Sequence, residues 1–283
     1  MVRIVFSTNF NIPINNIERV ACCNNCLFII YANDSNDMWE IIVYRIKKYV
    51  IQCVVNTISS GIDTTDTICN FLVNDCRAGQ GDTVYTPVCN ILVKFGNIIK
   101  LFTYPGNLEN NLSTTGRLID VIFYNLHYYV LTYTSDELTI EQYNTHSLYL
   151  STHIVPINLL PHKNCIDRWK LMIIDSKTIL LIQDEKNSIV THIANIHNTL
   201  EFVPKIVYPS KQVLSDTFDR VISNDNFLCM YNNLHSLLKV YNTNLVLLHI
   251  DSYVRDVCLW SDDTIIILNK YMSENNVIFH RFR

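Results

Sequence analysis

The chain has 283 residues, of which 49% are apolar and 17% charged, and its formal net charge is −4. That length allows one large all-β domain or two small ones, with enough apolar residues for a sizeable core. The charge balance carries no basic footprint for nucleic acid, and no apolar run approaches the roughly 18 residues of a membrane span.

The opening MVRIVFSTNFNIP reads as a strand, not as a charged segment followed by an apolar signal core. An intracellular protein of the cytoplasm or nucleus is therefore expected. Ten cysteines in that setting argue for reduced thiols over a disulfide framework. Cys53, Cys229 and Cys258 lie in apolar runs and read as small core residues. All six glycines fall between Gly61 and Gly116, while Asn, Ile and Tyr are plentiful. The bias fits an AT-rich genome, and it leaves Asn and Asp to take turns that glycine usually takes.

In chain order, a spare strand from Val2 to Ser7 comes first. ERVACCNNCLFIIYAN from Glu18 then gives two strands about the turn Asn24-Asn25, followed by IIVYR ending at Arg45 and YVIQCVV from Tyr49. The next unit is looser. Its first strand is predicted near Thr67 to Val73, with a long loop or insertion from Asn74 to Pro87, and strands resume at Val88. A degenerate extra unit within 57–116 is the alternative. From Gly116 to Pro156 the pattern is clearest, in DVIFYN, HYYVLTYT, ELTIEQYN and SLYLSTHIV. Each run has a strand's length and is rich in β-branched or aromatic residues. Similar units begin at Asp167, Asp219 and Arg255, the last running out at Arg283 after three strands.

The third strand of each unit ends in a ring, at Tyr44, Phe102, Tyr143, His192, Tyr241 and Phe282, at intervals of 58, 41, 49, 49 and 41. Four strands repeated every 40 to 50 residues is the period of a β-propeller blade. The predicted fold is one all-β propeller domain over 1–283. It has six blades, or seven if the loose stretch hides one, and the N-terminal strand completes the last sheet and removes an edge.

At the third-strand marks the chain resembles the WD-repeat propellers, whose blades often end that strand in Trp-Asp. Tyr143-Asn144 and Tyr241-Asn242 would fill that place, and WSDDTIIIL from Trp260 is similar to the family's first-to-second strand turn. The chain departs from the pattern in having no true Trp-Asp and no Gly-His before the blades. The His and Asp that lock a standard blade are therefore not assignable, and stability has to come from other contacts. A chain with few charges and abundant Tyr, Phe, Leu and Ile has apolar surface to spare, so the expected role is a protein-binding scaffold within a larger complex.

Charged residues head the first strands: Arg19, Asp120, Arg168, Asp219, Arg220, Arg255 and Asp256, with Glu18 and Asp167 beside them. In a propeller the first strand lines the central channel, so these side chains are the predicted partner-binding ring, in which an arginine would grip a carboxylate through two bonds. The competing reading is a set of ion pairs and turn caps between blades. A sialidase-like hydrolase on six blades needs an arginine triad with a tyrosine nucleophile and acid partners. No sequence feature fixes such a tyrosine beside a glutamate. A structural virion or spore protein is a further alternative. Cys23 and Cys26 form a C-x-x-C without the second pair that a zinc site needs. With neither G-x-x-x-x-G-K-[ST] nor G-x-G-x-x-G present, no cofactor is expected. The expected partners are other proteins.

Overall fold

The computed structural model describes residues 4–23, 25–78, 87–104, 107–124, 127–134, 137–144, 149–154, 169–175, 178–185, 188–197, 199–203, 220–223, 226–232, 235–242, 246–271 and 274–282. Among the described residues every regular element is a strand, and the strands pair as six four-stranded antiparallel sheets. The chain divides into two compact units, Met1–Ser113 with Tyr253–Arg283, and Thr114–Ser252.

In the first unit, one sheet joins the two ends of the chain. β1 (Ile4–Ile12) pairs with β24 (Glu274–Phe282), followed by β23 (Thr264–Tyr271) and β22 (Val254–Ser261). Phe10 stands opposite Val277 and Ile12 opposite Asn275, so the N-terminal strand supplies the fourth place that the last three strands lack. The other two sheets run in chain order. One is β2 (Ile17–Cys23), β3 (Cys26–Asn33), β4 (Met38–Lys47) and β5 (Val50–Asp63). The next is β6 (Ile68–Ala78), β7 (Pro87–Phe95), β8 (Ile98–Tyr104) and β9 (Asn107–Leu112).

The two-residue period of a strand decides which side chain meets which neighbour. Phe28, Ile30, Ile41 and Val43 point from one face of the β2–β5 sheet into a core with Phe71, Ile91, Val93 and Phe102. Leu27, Ile29, Ile42 and Tyr44 point from the other face into a core with Ile266, Leu268, Val277 and Phe279. A sheet covered on both faces needs consecutive apolar residues, and CLFII at the start of β3 is buried at every position. Each such Ile, Leu or Phe contributes about 1.5–3 kcal/mol on burial.

In the second unit the sheets are β10 (Arg117–Tyr124) to β11 (His127–Thr134), β12 (Glu137–Asn144) and β13 (Tyr149–Ile154); then β14 (Trp169–Asp175), β15 (Thr178–Glu185), β16 (Ser188–His197) and β17 (Thr199–Val203). The third is β18 (Arg220–Ser223), β19 (Phe227–Asn232), β20 (Leu237–Asn242) and β21 (Leu247–Ser252). Tyr129, Leu131, Leu138 and Ile140 of the first sheet share a core with Trp169 and Leu171 of the second.

Of the six predicted ring residues, Tyr44, Phe102, Tyr143, Tyr241 and Phe282 are buried, and the side chain of His192 lies outside the described residues. Each of the five buried rings also stands where its partner strand bulges. Tyr44 pairs with Val54 but Val43 with Asn56, and the same one-residue slip recurs opposite Phe102, Tyr143, Tyr241 and Phe282. A bulge bends and twists the outer strand, and here it does so at the position that accommodates the ring.

Two predictions need correction. Cys53, read as a small core residue, is exposed on β5, while Cys229 and Cys258 are buried as expected. The loop expected from Asn74 to Pro87 is shorter, because β6 continues to Ala78, where Arg77 pairs with Val88 and Ala78 with Pro87. A slip between Asn74 and Arg77 lets the pairing resume after the apolar run ends, so polar residues extend the strand. Residues 79–86 of that loop lie outside the described residues.

Candidate functional site

Five of the seven charged residues predicted to form a ring are described; Arg168 and Asp219 lie outside the described residues. Arg19, Asp120 and Arg220 occupy one register position, opposite Ile30, Leu131 and Tyr231. In four first strands a bulge comes just before it. Glu18, Cys69, Ile119 and Arg255 are the extra residues, and Arg19, Asn70, Asp120 and Asp256 follow them.

Asp256 has no solvent exposure, and its carboxylate accepts the Val20 N–H at 2.7 Å, from the first strand of the neighbouring sheet. Asp120 does the same in the second unit, accepting the Leu171 N–H at 2.9 Å. A buried carboxylate is held by such charge-assisted bonds, and each one also satisfies a main-chain donor. Val20 follows Arg19 and Leu171 follows Lys170, so the two ties have the same form. Asn70 and Lys170 were not singled out by charge patterning. Their place directly before the first apolar pair of a strand is the signal that finds them.

The remaining charges of the first unit form a small cluster. Arg255 donates to Glu18 at 3.3 Å, and Arg19 lies 3.7 Å from Glu18 while donating to the Ile68 carbonyl at 3.2 Å. The bulges aim Glu18 and Arg255 at one another, and both side chains stay partly exposed, at 23% and 29%. Arg220, in the second unit, is buried.

A second polar centre was not foreseen. Glu141 is fully buried in the middle of β12. One carboxylate oxygen accepts the Thr115 N–H at 3.2 Å, the Thr115 hydroxyl, and the Thr132 hydroxyl at 3.0 Å; Thr132 also bonds Thr139 at 2.7 Å. The Tyr143 hydroxyl donates to the other oxygen. Burial, reinforced by the carboxylate, pushes the Tyr143 phenol well above its ordinary value. A tyrosine nucleophile needs the reverse, a phenol that ionises easily and is open to substrate. This pair is a lock within the β10–β13 sheet.

Cys23 and Cys26 face one another across their turn. Burial pushes the Cys26 thiol up to about 11, with Arg45 opposing and Cys23 and Cys53 adding to the rise.

Apolar exposure is concentrated on outermost strands: Val5 and Phe6 on β1, Val50 and Val54 on β5, Tyr149, Leu150 and Ile154 on β13, Leu247 and Ile250 on β21. Among the described residues no helix is long and apolar enough to cross a membrane.

No protein-family model matches the sequence, and no curated protein matches it. Solved structures do. The WD40 domain of coronin from Toxoplasma gondii superposes with a TM-score of 0.52 at 8% identity, over 99% of this chain and 88% of that one. A luciferin-regenerating enzyme superposes with a TM-score of 0.57 at 10% identity, over 98% and 95%. A Bacteroides caccae protein of unknown function gives 0.50 at 13% identity, over 87% and 83%. At such identities the likeness speaks to fold alone. The chain has a β-propeller fold.

Proposed function

We propose that the chain is a non-catalytic protein-binding scaffold, a subunit of a larger intracellular assembly, with its four-stranded sheets as propeller blades. The observation that carries this reading is the row of exposed apolar residues on outermost strands, such as Tyr149, Leu150 and Ile154 on β13. An outer strand has main-chain groups on its open edge, and apolar side chains there favour contact with another protein. The fold likeness to a WD40 domain fits this role. Glu18, Arg19 and Arg255 supply a partly exposed charged patch that can fix the orientation of a partner.

Two variants test the reading in the native cell, each checked for fold by circular dichroism. One carries alanine at Arg19, Arg220 and Arg255; the other carries Tyr149→Glu with Ile154→Glu. At least one is expected to lose tenfold or more of a co-purifying partner. Recovery of every partner at full strength by both contradicts the proposal.

A further inference from the structure

Lys48 and Tyr49 make the turn between β4 and β5 with φ values of 51° and 64°. A two-residue hairpin turn takes this left-handed geometry, and asparagine and glycine usually supply it. Here a lysine and a tyrosine adopt it at a conformational cost. The Tyr49 ring lies against the exposed ring of Phe6, with centroids 5.0 Å apart, and meets Trp260 nearly edge-on at 5.2 Å. The Arg281 guanidinium sits 5.8 Å from the same ring's centroid. Val5, Val50 and Val54 lie exposed on the two outer strands that flank this group.

Charge gives the patch its sign. Lys47 and Lys48 are both exposed, β1 carries no charged residue, and β5 carries none before Asp63. Arg281 is already paired with Asp263 at 2.6 Å. Asp263 offsets Arg281 and its neighbour Asp262 offsets one lysine, so this end of the first unit keeps a small positive excess in a chain of net charge −4. β1 is also the outermost strand of its sheet, so its outer main-chain edge has no strand beside it in that sheet.

We infer that this end of the first unit binds an extended acidic peptide segment of a partner protein, added alongside β1. Main-chain hydrogen bonds along β1 give the affinity, an apolar side chain of the peptide packs on Phe6 and Tyr49, and Lys47 and Lys48 meet its carboxylates. The inference rests on the scaffold reading above and names the partner chemistry for one of its surfaces. Nucleic acid fits less well, because two exposed lysines neutralise few phosphates.

The test uses the full chain and fluorescence anisotropy with a labelled ten-residue probe that alternates Glu with Val, Ile and Phe. The controls are the same probe with Lys for Glu, one with a central proline, and a single-stranded oligothymidine. The acidic probe is expected to bind at least tenfold tighter than each control. Lys47→Glu with Lys48→Glu, both exposed and so compatible with folding, is expected to remove that preference, as is Tyr49→Ala. Equal binding of the acidic and basic probes, indifference to the double charge reversal, or tighter binding of the oligonucleotide overturns the inference. If the probe fails while the β13 or arginine variants above still lose their partner, the scaffold reading stands and only this surface falls.

Discussion

Asp256 accepts the Val20 N–H at 2.7 Å, and Asp120 accepts the Leu171 N–H at 2.9 Å, in each case between neighbouring first strands. Removing either carboxylate leaves a main-chain donor without its acceptor, so Asp256→Ala should cost about 1–3 kcal/mol. Urea denaturation measures it, and an unchanged midpoint would show that the tie contributes nothing. Glu141→Gln keeps the side chain's size but gives up the charge-assisted bonds from Thr115, Thr132 and Tyr143, and a loss of similar size, about 1–3 kcal/mol, is expected. Tyrosines set the alkaline limit. Burial raises Tyr44, Tyr104 and Tyr143, and burial with the Glu40 hydrogen bond takes Tyr31 up to about 12. The unfolded chain releases these protons near the ordinary value of about 10, while the folded chain still holds them. The stability that these tyrosines contribute is therefore fully present below pH ~10 and falls as pH rises from there through the folded values. Melting temperatures taken from pH 8 to 11.5 should drop above pH ~10, and a flat profile would contradict the assignment.

At the scale of strands, the sequence was informative wherever burial imposes a pattern. The rings at Tyr44, Phe102, Tyr143, Tyr241 and Phe282 stood out because each closes an alternating third strand, and all are buried opposite a bulge. The bulges themselves were not legible, since an extra residue on an outer strand leaves no mark on composition. The same blindness affected the first strands. Glu18 and Arg255 on the bulge, and Arg19, Asp120 and Asp256 just after it, all read as charges heading a strand. Only the register separates a partly exposed ion pair from a buried carboxylate. Glu141 escaped notice because an acid inside ELTIEQYN is indistinguishable from one on a solvated face. Its partner segment was marked by a glycine. A Cβ on Gly116 would lie 2.7 Å from the Tyr133 carbonyl oxygen and 2.5 Å from the Thr134 methyl, while Thr115 beside it reaches Glu141. Gly116→Ala should therefore displace that strap and destabilise by about 1–3 kcal/mol. Thermal unfolding reads the effect, and a neutral result would mean the strap shifts without cost.

For the molecule as a whole, the four-strand repeat and the pairing of the N-terminal strand with the C-terminal three both followed from counting strands in the sequence. The β-propeller fold implied by that repeat is shared with solved structures at 8 to 13% identity. A repeat of hydrophobic pattern survives such divergence because it encodes burial, whereas the contacts that bind a partner leave no comparable period. The scaffold reading is tested most directly by purifying a tagged copy of the chain from its native cell at moderate salt and identifying by mass spectrometry what accompanies it. A protein partner in stoichiometric amount is the predicted result. A lone monomer that turns over a glycoside substrate would contradict the account.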